Sequence, residues 1–223
     1  MKKKIIGLLG GIGPESTGNF YLKLIKRFAN INKPKHNTEY PHIIINSIPA
    51  PDLILNKGTN EILSPYNSGL KFLEKSGADI IGILCNTAHV YFSDLQKGIK
   101  KPIINLNKEV LAYLRRINIK SVTVLGTSYT MRSDLYKFKE FKYNNLTELE
   151  MDKLTKAITL YNLGQDKEKQ KNFVQELARK YSKMSDCIIL GCTEVALMVD
   201  NLKIRKLDPM DALIDVILKE YAK

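Results

Sequence analysis

Three cysteines in a chain of 223 residues are too few, and odd in number, for a disulfide framework, and they fit a reducing compartment. Long apolar runs are also missing: no uninterrupted segment reaches the roughly 20 residues needed to cross a bilayer. The start, MKKKIIGLLGGIGPES, has the basic tip and apolar stretch of a secretion signal, but the stretch breaks at Gly10-Gly11 into a proline-led helix start. The expectation is a cytoplasmic protein with no membrane partner. Helix-turn-helix signatures, zinc-ligand spacings and aromatic RNA-binding motifs are absent too. That matters because a formal net charge of +12 otherwise raises nucleic acid as a partner. The lysines are scattered over polar helix faces, as in KEKQKNFVQELARKYSK, among glutamates and glutamines. The surplus therefore reads as solvation and as a general pull on small anions, with no nucleic-acid partner expected.

What is present is an alternation of short apolar runs with longer amphipathic stretches. KIIGLLG, HIIINSI, DIIGILC, SVTVLG and DCIILGC read as strands, and KIRKL as a short one. Helices are expected from Pro14 to about Ala29, over 66–76, from about Lys108 to Arg116, through a long region broken near Gly164, and from Pro209 onward. Within that long region Phe173, Val174, Leu177, Ala178 and Tyr181 share one helix face. Strands alternating with helices predict an α/β fold with parallel sheets covered on both faces.

The pattern also repeats. Asp79 leads through an apolar run to Cys85, and Asp186 leads through another to Cys192, with the same six-residue spacing. Lys4 leads likewise to Gly10, and Lys120 to Gly126. A duplicated half is the economical account. It predicts two α/β lobes, with the active site in the cleft between them. The expected boundaries are residues 1–101 with 208–223 for the lobe carrying Cys85, and 102–207 for the lobe carrying Cys192.

A small buried cysteine followed by capping residues would account for Cys85-Asn86-Thr87 taken alone. The second occurrence changes the balance, because ligands of open parallel sheets bind outside the carboxyl ends of the strands, where both cysteines stand. Two thiols facing one small molecule suit inversion of a stereocentre: one thiolate takes the α-proton and the opposing thiol returns one to the other face. A cysteine pKa near ~8.5 needs only modest tuning for that work. The spacing gives neither a C-x-x-C redox pair nor a metal-ligand set. Cys187 falls inside its strand and reads as core. His89 could orient the helix start or hydrogen-bond near Cys85; Glu194 stands at a helix start, where the dipole favours an acid, and reads as a capping residue. His36 and His42 carry no assignment.

The stretches GLLGGIGPESTGNFY, CNTAH and GCTE, with the weaker VLGTSYTMRS, resemble the cofactor-independent aspartate/glutamate racemases, in particular their aspartate racemase branch. The resemblance runs in order over nearly the whole chain. It implies two Rossmann-like lobes with parallel sheets related by a pseudo-twofold, no PLP or other cofactor, no metal, a small amino-acid substrate and a homodimer. It places the proton-transfer pair on Cys85 and Cys192 and substrate binding on Asn86, Thr87, Thr127 and Thr193. The chain departs from the family at two cationic positions. In IPAPDLILN, Leu53 stands where an arginine grips a substrate carboxylate, and in AITLYNLGQD, Leu163 aligns with a family lysine. The expectation is racemisation of aspartate, with a broader or different amino-acid specificity as the alternative, and a catalytically silent binding relative as another.

Overall fold

The computed structural model describes residues 3–51, 53 and 60–223. The chain divides into two compact units, Met1–Asn105 together with Leu213–Lys223, and Leu106–Ala212. None of the described helices is long and apolar enough to cross a membrane.

The first unit is built on a parallel sheet of β1 (Ile5–Gly10), β2 (His42–Ser47) and β3 (Ile80–Ile83) in the order β2-β1-β3. Beyond β3 the chain bridges once more in parallel, Ile81 to Ile103. α1 (Pro14–Asn32) follows β1, with proline at its first turn, where the missing N–H costs nothing. It buries Phe20, Leu24 and Phe28, spaced by one helical turn. α2 (Asn60–Lys75) links β2 to β3, and α3 (Phe92–Lys97) follows a 3-10 turn at Thr87–Tyr91. Gly7 is small for a reason: a Cβ there would lie 2.6 Å from that of Ala78.

The second unit opens with α4 (Leu106–Arg116) and carries β4 (Ser121–Leu125), β5 (Lys142–Tyr143), β6 (Cys187–Leu190) and β7 (Lys206–Leu207) in the parallel order β5-β4-β6-β7. α5 (Ser128–Arg132) leaves β4, α6 (Glu148–Asn162) and α7 (Lys167–Ser182) cover the sheet, and α8 (Thr193–Met198) leaves β6. Gly164, at φ +76°, turns the chain between α6 and α7. α6 begins in a capping box: the Thr147 hydroxyl accepts from the Glu150 N–H, and the Glu150 carboxylate accepts from the Thr147 N–H. Lys180, 2.6 Å away, and then that N–H hold the Glu150 carboxyl down at about 2. The expected apolar face of α7 is real: Val174, Leu177, Ala178 and Tyr181 are buried and Phe173 packs against them.

α9 (Pro209–Tyr221) begins in the second unit and from Leu213 onward belongs to the first. There Leu213, Ile214 and Ile217 are completely buried. A Cβ on Gly82 would lie 3.3 Å from Ile217 Cδ1, so β3 has a glycine where the helix seats.

The two units repeat one plan, strand for strand: β2-β1-β3 and Ile103 in the first, β5-β4-β6-β7 in the second. The repeated aspartates have the same task. Asp79 Oδ2 accepts from the N–H of Ile5 at 3.0 Å, and Asp186 Oδ2 from those of Lys120 and Ser121 at 2.8 and 2.9 Å. Each carboxylate pins the start of its unit's first strand to the start of the cysteine-bearing one. Those donors hold the Asp186 carboxyl below the usual range.

Candidate active site

At the carboxyl end of β3, Leu84 donates its N–H to the Leu9 carbonyl at 2.8 Å, which lays the Cys85 turn beside the Gly10-Gly11 turn after β1. Gly11 has φ +85°, and a Cβ on it would lie 2.5 Å from the Ile48 carbonyl oxygen, so only glycine fits. Thr17 locks this turn from α1: its hydroxyl accepts from Gly11 N–H and donates to the Gly13 carbonyl, each at 3.0 Å. Cys85, Asn86, Thr87 and His89 are all buried, at 8%, 2%, 7% and 4% exposure. Cys85 stands just past β3, Asn86 caps the 3-10 turn that follows, and Thr87 and His89 lie within that turn.

His89 is strongly perturbed. Burial pushes it down to about 4, so the imidazole is neutral at ordinary pH. Nε2 lies 3.3 Å from the Ile83 carbonyl, an acceptor only, so that nitrogen carries the proton. Nδ1 has no hydrogen-bond partner among the described residues, and the ring stacks on Phe92 at 6.1 Å.

The second unit builds the corresponding place. Gly191 donates its N–H to the Leu125 carbonyl at 2.7 Å, which sets the Cys192 turn beside Gly126-Thr127 as Leu84 does in the first unit. A Cβ on Gly126 would lie 2.9 Å from the Gly191 carbonyl oxygen, so the two turns pack backbone against backbone. Cys192, in extended backbone at the start of α8, is buried to the same 8% as Cys85. Its thiol donates to Glu194 Oε2 at 2.9 Å, and the Thr193 hydroxyl donates to the same oxygen at 3.0 Å. Thr127 is buried and caps α5: its hydroxyl accepts from Thr130 N–H at 3.2 Å and donates to the Thr130 hydroxyl at 3.1 Å. Cys187 lies inside β6, 1% exposed, and burial pushes its thiol up to about 11, as an inert core cysteine requires. Cys85, Cys187 and Cys192 are all outside any disulfide.

Residues 9–217 match the Asp/Glu/Hydantoin racemase family. The chain belongs to that family. It is 30% identical over 209 residues to the broad specificity amino-acid racemase RacX of Bacillus subtilis (strain 168), covering 89% of each chain. It is also 30% identical over 139 residues to a glutamate racemase of Aquifex pyrophilus, covering 59% of this chain and 52% of that one. Among solved structures, an aspartate racemase of Picrophilus torridus shares the fold with a TM-score of 0.81 at 24% identity, over 99% of this chain and 95% of that one. An aspartate racemase homologue from Pyrococcus horikoshii OT3 does so with a TM-score of 0.77 at 24% identity over the whole of both chains.

Against this racemase background two site features stand out. Leu53 is 2% exposed and packs in the core of the first unit; its neighbours Asp52 and Ile54 lie outside the described residues. Leu163 ends α6 with 65% of its surface exposed. Glu194 is the residue that sequence reasoning read only as a helix cap. Its spacing two residues after a cysteine was the available signal, and acids at helix starts are common enough to hide it.

Proposed function

We propose that this chain racemises amino acids at the α-carbon, with Cys85 and Cys192 as its two acid/base groups, and that aspartate is one substrate among several. The observation that carries this reading is the repeated construction: just past its third strand, β3 or β6, each unit has an equally buried cysteine laid against a glycine turn. In the reaction a thiolate accepts the α-proton and leaves a carbanion, and the thiol on the opposite face delivers its own proton to the same carbon. The roles reverse with the other enantiomer, so no atoms are gained or lost. Glu194, already accepting from the Cys192 thiol, is placed to take that proton when Cys192 must act as the base. Asn86, Thr87, Thr127 and Thr193 are assigned the substrate's amino and carboxylate groups.

Breadth of substrate follows from Leu53. A buried leucine offers no charge to a second carboxylate, and the Bacillus subtilis relative bears the name of a broad-specificity enzyme. A strictly aspartate-selective enzyme is the second reading, supported by the resemblance of the cysteine motifs to the aspartate racemase branch.

The deciding experiment follows α-proton exchange and racemisation of L- and D-aspartate, glutamate, alanine and lysine in D2O by NMR. Wild type, Cys85→Ala and Cys192→Ala are compared. Racemisation of several substrates by wild type, abolished in each variant, is the expected result. Turnover of aspartate alone would establish the selective reading, and racemisation surviving either substitution would refute the two-thiol mechanism.

A further inference from the structure

The unit Leu106–Ala212 contains a cavity of about 550 Å3 that the proposed racemisation does not use. Cys192, Thr193, Glu194 and Thr127 are all outside its lining. A cavity of this size falls within the range of small-molecule sites, roughly 300–1,000 Å3. Its walls mix apolar and aromatic side chains, Met131, Tyr136, Phe138, Phe141 and Tyr143 among them, with polar and charged ones. They are also braced. The Tyr143 hydroxyl accepts from the Phe138 N–H and donates to the Tyr136 carbonyl, each at 2.6 Å, and the Phe138 and Phe141 rings meet edge to face at 6.4 Å. The space is therefore built rather than opened by a loose loop.

Charge narrows the occupant. The lining has three exposed cations, Arg132, Lys137 and Lys139, against one carboxylate, Glu148. Arg132 is committed to Glu148, and Lys137 to Asp134 at 3.2 Å. Lys139 has no ion pair among the described residues. A single uncommitted ammonium suits one carboxylate, whereas a phosphate or nucleotide calls for the bidentate donors that Arg132 has already spent.

The wall also touches the site. Val124 and Thr130 line the cavity, and they are the side chains that a Cβ on Gly191 would meet, at 2.9 and 3.4 Å. Gly191 immediately precedes Cys192, and Thr130 holds the hydroxyl of Thr127.

We propose that this cavity is a second ligand site, for a small monocarboxylate with an aromatic body, and that its occupant bears through Val124 and Thr130 on the turn carrying Cys192. The proposal does not rest on the racemase reading, because neither binding nor thiol accessibility requires turnover. The test uses indole-3-acetate as probe, with indole and tryptamine as its uncharged and cationic counterparts, in calorimetric titrations of the full chain at physiological salt. Iodoacetamide labelling of Cys85 and Cys192 is followed by peptide mass spectrometry in parallel. Indole-3-acetate should bind, the counterparts at least tenfold more weakly, and Lys139→Glu and Phe141→Ala should each weaken it about tenfold. Saturating probe should change the labelling rate of Cys192 severalfold and leave that of Cys85 unaltered. Absence of binding by indole-3-acetate, equal binding of all three probes, or indifference to both substitutions would overturn the site. Displacement of the probe by aspartate, or equal protection of both cysteines, would overturn it in favour of the substrate's own pocket. An unchanged Cys192 rate would overturn the coupling.

Discussion

Cys85 and Cys192 are equally buried yet differently served. Two residues after Cys192 stands the Glu194 carboxylate, 2.9 Å from its sulfur, while two residues after Cys85 stands Thr87. If that carboxylate takes part in proton transfer, Glu194→Gln lowers the racemisation turnover by about 100-fold, at the low end of general-base contributions, with little change in melting temperature. A turnover within twofold of wild type would leave Glu194 with only the helix start to serve. His89 gives a second residue-scale prediction. Its pKa is about 4 in the folded chain against 6.5 unfolded. Above about pH 6.5 neither state binds the proton. Between 6.5 and 4 the unfolded chain takes it up and the folded chain does not, so stability falls as the pH falls, by about 3 kcal/mol in all. Urea titrations across this range should show that slope in wild type and a flatter one in His89→Gln, which retains a donor for Ile83 but does not titrate.

At the scale of elements, what could be read from the sequence follows how much of each element is apolar. β1, β3, β4 and β6 are short runs of isoleucine, leucine and valine with no other plausible fate, and the boundaries of α1 and α4 follow from proline and from charge. β5 is two residues, Lys142-Tyr143, with nothing apolar to announce it; it exists because Lys142 and Asn144 donate backbone bonds to Lys120 and Val122. α2 begins at Asn60 rather than near 66, because Leu63 is buried in the unit's core and Pro65 is tolerated inside the helix. The cysteine turns were visible as a repeated spacing, but the Glu194 contact depends on a side-chain rotamer that no spacing encodes. The turns themselves are tight. Gly126→Ala places a methyl group against the Gly191 backbone, and its expected cost is about 1–3 kcal/mol. Because Gly191 would shift with Cys192 attached, turnover should drop further than stability alone explains. Thermal unfolding and single-turnover rates, measured together, separate the two effects.

For the molecule as a whole, the repeated plan explains why the paired aspartates recur as faithfully as the paired cysteines: each unit needs one carboxylate to bind two strand starts and one thiol at the other end. The units differ in how they are closed. The second is one continuous length of chain, whereas the first depends on Leu213–Lys223 to cover β3. Ile217, fully buried against Gly82, should therefore govern the first unit disproportionately. Ile217→Ala is expected to cost about 2–5 kcal/mol. Hydrogen exchange should localise the loss to β1 and β3 and leave β4 and β6 protected; uniform loss across both sheets would contradict this.

The placement of α9 also has a consequence in time. A ribosome delivers β1, β2 and β3 before the second unit, but the helix that seals them, with its Lys4 to Glu220 and Arg27 to Asp215 links, only after it. Throughout synthesis of the second unit the nascent first sheet has one apolar face without its native cover. The half of the protein that is translated first is thus the half that finishes folding last, and in the interval its exposure is a matter for chaperones.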